Sequence, residues 1–433
     1  MGDKSGIQWT DATANVVVGC SRVSDGCRHC YAEQLAATRL RHTKRYKGLA
    51  IVTAKGTPQW TGEVRLDVGA IEQVLRWQKP RRVFLTAMGD PFHESLSNEQ
   101  IAALFGLMAV CPQHTFQVLT KRAARMRAWF AWAAAQIEDA REDGRWTPFI
   151  RALCDVLDDA KIIERIQEDG VARANDSEAW PLSNVELGVS IEHQAAANER
   201  VPELLATPAA VRFLSCEPLL EAVDLTNIEI PLSEGVTEHW DALRREPDDE
   251  LGGDGPRIDW VIVGGESGHG ARTCDVSWVR SIVEQCKAAE VPVFVKQLGA
   301  RPVGDWGPGK APREHWHIAR RGEHALNDSH GGDPSEWPSD LRVRELPAKG
   351  LSSPKSELTD DRMASLVTFE CHCGATLKLP RAVDDGSTPI ARAERAGWTF
   401  VRMSMCSPRA VCPCCSSARP GSEPQVDGGR GTL

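Results

Sequence analysis

The chain has no apolar run near the ~20 residues that a membrane-spanning helix needs. Its opening stretch, MGDKSGIQWTDAT, holds no signal-peptide core. Positive charge is not in excess either. Lys and Arg number 51 against 60 Asp and Glu, a net charge of -9, so the chain as a whole is not a nucleic-acid-seeking polycation. A complete phosphate-binding glycine motif is also missing, since Gly264-Gly265-Glu266-Ser267-Gly268 fits neither G-x-G-x-x-G nor a P-loop and reads equally well as a tight turn. On these absences neither a helical membrane anchor nor a secretory signal is expected, and the expected compartment is the cytoplasm.

Thiol is what the chain does have. Fourteen cysteines without a secretory signal point to ligation rather than to disulfides. Cys20, Cys27 and Cys30 follow the apolar run Val16-Val17-Val18-Gly19 in the spacing Cys-x6-Cys-x2-Cys. A structural zinc site takes four protein ligands, whereas a 4Fe-4S cluster held by three thiolates leaves one iron open. Zinc would need His29 or His42 as its fourth ligand, and His29 is adjacent to Cys30, which makes joint ligation awkward. The open iron would chelate the amino and carboxylate groups of S-adenosylmethionine, and an electron passed through the cluster would cleave the sulfonium, chemistry that belongs to the cofactor. Cys111, Cys154, Cys216, Cys274 and Cys286 lie in apolar or helical stretches and read as buried small hydrophobes.

A second thiol set lies near the C-terminus. Cys371 with Cys373, and Cys412 with Cys415, make two pairs suited to tetrahedral zinc, although the single-residue gap in the first pair is shorter than usual. Cys414 is an alternative to Cys415, and Cys406 is a spare. Zinc would supply most of the folding energy of so short a zinc-ribbon-like module.

Between these sets, short β-branched runs alternate with helical patterns. The expected strands are Val16–Cys20, Arg82–Ala87, Thr115–Thr120, Val185–Ser190, Val211–Cys216, Asp259–Gly264 and Pro292–Lys296. Continuous apolar runs of this kind fit parallel strands covered on both faces. Helical patterns over Asn98–Val110 (with Ser97 as N-cap), Ala195–Leu205 and Val276–Ala289 complete β/α units. The expected fold is α/β, a complete or partial parallel (β/α) barrel. Asp90, Lys121, Glu192, Glu217, Glu266 and Lys296 each follow a strand closely, where barrel enzymes build their sites. The domain organisation expected is a barrel domain over 1–350, a linker over 351–367, the zinc-ribbon-like module over 368–415 and a disordered tail over 416–433. Helix-rich Ala123–Leu182 reads as an insertion and acidic, Gly/Pro-rich Leu232–Arg257 as a mobile loop.

The strings IQWTDAT, VGCSRVSDGCRHCYAE, MGDPFHE, FQVLTKR, LGVSIEHQ, FLSCEPLL, DWVIVGGESGHGAR and VFVKQLG, in this order over roughly Gly6–Pro347, resemble the phage-associated three-cysteine-motif family, a radical-SAM-like group. Relatives carry Trp-Asn-Pro where this chain has Ala14-Asn15-Val16, and most radical-SAM proteins have a shorter first gap, Cys-x3-Cys-x2-Cys. The resemblance implies a radical-SAM-type barrel, a partner protein named after the three-cysteine motif and an electron donor for the cluster. It also implies roles by motif. Gly89 and Asp90 would receive the methionine amino group, Ser190 and Glu192 the ribose, and Gly265 and Glu266 would approach the ligand closely. Lys121 and Arg122 would bind a carboxylate or phosphate.

Two functions follow from different classes. One is an iron-sulfur radical-SAM-like enzyme acting on an unidentified substrate. The other is a non-catalytic metal-binding adaptor that works through a partner. A basic run, Arg39, Arg41, Lys44, Arg45 and Lys47, lies beside the cysteine loop. It reads as a solvated helix end or as a nucleic-acid contact, and salt dependence separates the two.

Overall fold

The computed structural model describes residues 5–140, 147–170, 180–231, 237–245, 247–248, 253–268, 270–306 and 326–347, with four strand segments at 366–370, 376–380, 399–401 and 409–411. Seven parallel strands form one sheet, in chain order from edge to edge: β1 (Ala12–Ala14), β2 (Arg82–Leu85), β3 (Thr115–Thr120), β4 (Val185–Ser190), β5 (Val211–Cys216), β6 (Trp260–Gly264) and β7 (Val293–Gln297). Every neighbouring pair in that sheet is parallel. The sheet curls into a half-barrel, so the α/β parallel-barrel expectation holds in its partial form.

Side chains alternate across this curl as a pleated strand requires. Val83, Leu85, Phe116, Val118, Leu187, Val189, Leu214, Val261, Val263, Val293 and Val295 turn outward into the main core beneath the helices. Their neighbours turn inward, where Trp9, Phe84, Phe213, Trp260, Ile262 and Phe294 form a separate apolar cluster. The helices begin on side-chain caps where the sequence supplies them. Asp67 caps α2 (Val68–Leu75), and Ser97 with Gln100 builds a capping box on α3 (Asn98–Ala109). Asp275 caps α8 (Val276–Ala288). Each oxygen satisfies amide groups that the first helical turn leaves unpaired. The stretch expected as an insertion supplies α4 (Ala123–Asp139), α5 (Thr147–Val156) and α6 (Ala160–Arg165). Trp129, Phe130, Phe149 and Leu153 of those helices belong to the main core.

The first strand differs from expectation. Val16–Cys20 is not a strand of the seven-stranded sheet. Ala12–Ala14 pairs with β2 instead, in the register Ala12 to Val83, and Val17–Val18 pairs antiparallel with Arg65–Leu66. The cause is Asn15, whose Oδ1 accepts the Ala87 amide at 2.8 Å and so ends the ladder before the valines are reached. Gly19 then returns to the barrel through a parallel bridge to Gly89. A Cβ on Gly89 would lie 2.9 Å from the carbonyl oxygens of Val17 and Gly19, and one on Gly19 would lie 2.1 Å from that of Glu63. Only glycines permit this close bridge. At the other edge, the chain around Arg344 pairs antiparallel with Phe294, and Val295 donates to the Val343 carbonyl at 2.9 Å. That cover blunts an otherwise open edge.

The acidic stretch 232–257 was expected as a loop. Its described part instead holds strands, Thr237–Trp240 paired antiparallel with Ile228–Pro231, and Pro247–Asp248 paired with Gly253–Asp254. The chain divides into two compact units. In the second, Leu366–Glu370 pairs antiparallel with Thr376–Pro380, and Thr399–Val401 pairs with Arg409–Val411. Glu370 and Val411 each precede an expected zinc ligand, but Cys371, Cys373, Cys412 and Cys415, with Cys406 and Cys414, lie outside the described residues. So do the tail at 416–433 and most of the linker at 351–367. Among the described residues no helix is long and apolar enough to cross a membrane.

Candidate functional site

All the strands of a parallel half-barrel end at one rim, and the cysteine loop lies there. Cys20 follows the Gly19–Gly89 bridge and Cys30 immediately precedes α1 (Tyr31–Ala37). The three thiols are free and partly exposed. Cys20 and Cys30 border a small apolar cluster of Val18, Ala36, Tyr46, Leu49, Trp60 and Met88. Burial and the Asp90 carboxylate push the Cys20 thiol up to about 12 against the nearby Arg122 guanidinium. Burial also raises Cys30. Cys30 is within electrostatic reach of both Cys20 and Cys27. Among the described residues no three His, Cys, Asp or Glu side chains stand gathered as a metal-holding group.

Three strand-end residues hold this loop to the barrel. After β3, Arg122 donates from Nη2 to the Ser21 hydroxyl at 2.8 Å and carbonyl at 3.2 Å, and its Nη1 lies 3.7 Å from Cys20 Sγ. The same guanidinium pairs with Asp90 at 3.0 Å and Glu94 at 2.8 Å. After β4, Glu192 Oε1 accepts the Gly26 amide at 3.3 Å. After β6, Glu266 Oε2 meets His29 Nδ1 at 3.0 Å. Arg272 ties the last pair further, reaching Glu266 at 2.8 Å and Asp25 at 2.8 Å.

The other expected residues lie in the same rim. Asp90 is buried and fully engaged. Its Oδ1 accepts from Phe92 N at 2.9 Å and Thr120 Oγ1 at 2.7 Å, and its Oδ2 from Lys121 N at 3.1 Å and Arg122 Nη1 at 3.0 Å. Lys121 Nζ donates to Ser190 Oγ at 3.0 Å and Glu192 Oε2 at 2.9 Å. Ser190 in turn donates to the Glu217 carbonyl at 3.1 Å, and Lys296 pairs with the Glu217 carboxylate at 2.9 Å. Gly265 sits against β7, its amide donating to Gln297 O at 3.0 Å. Burial opposes ionisation of Glu192, yet Lys121 and Arg200 outweigh it and hold the carboxyl at about 2. Glu266 is likewise held at about 2, with bonds from Arg272 and His29 overcoming burial. Both carboxylates are therefore charged at neutral pH and neutralised by fixed cations.

Sequence reasoning missed four partners. Arg200, on α7 (Gln194–Leu205), bonds Glu192 at 2.9 Å, and Arg272 binds Glu266. Neither falls at a spacing that local pattern would mark. Arg22 pairs with buried Glu33, whose Oε1 also accepts the Trp60 amide at 2.8 Å and so joins the cysteine loop to the hairpin of Ala50–Val52 and Pro58–Trp60. His93, also buried, lies 2.9 Å from Ser21 Oγ. That pair is not a serine nucleophile with its base. His93 Nδ1 accepts the Ser95 amide at 3.1 Å, so in the neutral ring Nε2 carries the proton and donates to Ser21, leaving no lone pair for its hydroxyl proton.

No curated protein and no solved structure matches the chain. A family model described as "Protein of unknown function (DUF5131)" matches residues 4–335, a span that contains the whole rim and its cysteine loop, and the chain belongs to that family.

Proposed function

We propose that the rim is the site of an iron-sulfur enzyme of radical-SAM type. The observation that carries this reading is the attachment of the three-thiol loop to the strand ends, through Arg122, Glu192 and Glu266. Cys20, Cys27 and Cys30 would hold a 4Fe-4S cluster. The donor types suit such a group, three soft thiolates with an apolar backing and a guanidinium beside one sulfur, although the three side chains do not stand gathered as a metal-holding group in this structure. When bound, the cluster supplies the electron that cleaves S-adenosylmethionine.

The chain's own residues bind and orient. Arg122 offsets thiolate charge at Cys20, and Asp90, saturated by protein donors, fixes Arg122 rather than reaching for a ligand itself. Lys121, Ser190, Glu192, Glu217 and Lys296 line the mouth with two cations, two carboxylates and a hydroxyl, a surface suited to a zwitterion and a ribose. Gly89 and Gly265 are packed against neighbouring backbone, where a Cβ would lie 2.9 Å from Gly19 O and 2.5 Å from Leu298 O, and so they shape the mouth rather than open it. Within the same proposal, Cys371, Cys373, Cys412 and Cys415 hold a structural zinc. A three-cysteine-motif partner protein and an electron donor belong to the phage-associated resemblance.

The test is anaerobic reconstitution followed by assay for 5'-deoxyadenosine, with Cys20→Ala, Cys27→Ala and Cys30→Ala alongside. The expected result is bound iron and sulfide, visible absorbance, and cleavage lost in all three variants. Cleavage surviving all three changes would contradict the assigned ligands. A colourless protein holding only zinc would replace the enzyme with the adaptor.

A further inference from the structure

The charge of this chain is unevenly placed. From Cys20 to Leu66 there are nine Lys or Arg and three Asp or Glu, and no acidic residue at all from Gln34 to Gly62. In a chain of net charge -9, this lobe is therefore the cationic part. Its acids are already occupied, Glu33 by Arg22, Glu63 by Arg65 and Asp25 by Arg28 and Arg272. Asp67 draws Arg45 inward. Arg39, Arg41, Lys44, Lys47 and Lys55 are exposed, and none pairs with an acidic group among the described residues.

From this we infer that the lobe beside the rim binds single-stranded nucleic acid. Five unneutralised cations on one lobe form a track for a polyanion, because each phosphate neutralised releases counterions. Tyr31 then distinguishes a nucleic acid from an acidic protein. Its hydroxyl donates to Ala87 O at 2.9 Å at the rim, while the residue stays 55% exposed. An exposed ring anchored at its far end is a stacking platform for a base. Helix α1 carries the chain from Tyr31 to Ala37, a rise of roughly 10 Å at 1.5 Å per residue, so the platform and the first cations lie within a few nucleotides of one another. A base must be unpaired to stack there, which selects the single strand over the duplex. The track leads that base toward the rim.

This inference does not rest on the iron-sulfur reading, since cations and a ring need no metal. Full-length protein is titrated against a fluorescein-labelled single strand over a salt series, before and after iron reconstitution. Affinity should fall steeply, with a log–log slope near about -3.5 if all five cations contact phosphate. K44A/K47A should weaken binding roughly tenfold at low salt and flatten the slope by about 1.4. Y31A should weaken the strand about tenfold while leaving heparin binding unchanged. Three results would each overturn the inference: parent-like binding by K44A/K47A, equal competition by polyglutamate, or a duplex bound as tightly as the strand. Binding by protein that takes up no iron supports it while removing the enzymatic reading.

Discussion

The two ends of the half-barrel are built from the same strands and could hardly differ more. At the floor, Trp9, Phe84, Phe213, Trp260 and Phe294 fill the inside of the curl, with Trp9 edge-on to Phe84 at 4.8 Å and to Trp260 at 6.0 Å. At the rim, Lys121, Arg122, Glu192, Glu217, Glu266 and Lys296 take the inside instead. The floor is mostly apolar packing, with buried Gln117 and Glu186 in register beside Phe84 and Arg82 4.0 Å from Glu186. The rim has charges held by other charges and by a cysteine loop that depends on them. A strand that is apolar below and ionic above is stabilised at one end and free to bind at the other, the division of labour seen in parallel barrels.

Breaking the floor should cost the most. Trp260 is fully buried and donates from Nε1 to Glu345 O at 3.0 Å. Trp260→Ala is expected to lose about 3–5 kcal/mol, read by urea unfolding, with iron uptake intact in whatever fraction stays folded. Loss of iron from fully folded protein would show that floor and rim are not separate. Arg122→Ala comes next, at about 3 kcal/mol, because a buried Asp90 is left without its cation. Here thiol reactivity at Cys20 should change as well, measured by alkylation rate, and an unchanged rate would show that Arg122 does not hold the loop.

How far this division could be read beforehand depends on the residue. The strands β2 to β7 were legible because mostly continuous apolar runs of β-branched residues mark buried parallel strands, and the strand-end charges were legible by position. Ala12–Ala14 was not, since two alanines and a threonine carry no strand signal and only the pairing with β2 reveals them. The cysteine loop announced its donors but not its anchors. Gly26 to Glu192 spans 166 positions in sequence and Asp25 to Arg272 spans 247, distances that no local pattern bridges. Asp90 was marked as a site residue, and its saturation by four donors is visible only in the fold.

Acid sharpens the comparison at smaller cost. Glu192 and Glu266, held at about 2 against an ordinary 4.5, have depressed folded values. Their contribution is fully present above about pH 4.5 and is lost as pH falls toward 2. The rim should therefore release the cysteine loop in that window while the floor, whose Glu186 carboxyl is raised by burial rather than lowered, stays packed. Far-UV signal retained with faster amide hydrogen exchange in the cysteine loop, relative to the intrinsic rate at each pH, would report it. Glu192→Gln should remove part of the slope, and an identical acid profile for that variant would refute the assignment.

The smallest effect belongs to His29. Its ring is about one-third exposed, at 35%, and meets a Glu266 carboxylate that is 6% exposed. Removing it does not orphan that carboxylate, because Arg272 still holds both oxygens through Nε at 3.0 Å, its backbone amide at 2.8 Å and Nη2 at 2.8 Å. A hydrogen bond to a carboxylate that keeps its Arg272 cation is worth about 0.5 kcal/mol, roughly a twofold change in how often the loop opens. His29→Ala should thus raise the alkylation rate of Cys27 and Cys30 about twofold with no measurable change in unfolding midpoint. A tenfold rise would mean that His29, rather than Arg272, is the latch at this corner, and Arg272→Ala would then be the milder change of the two.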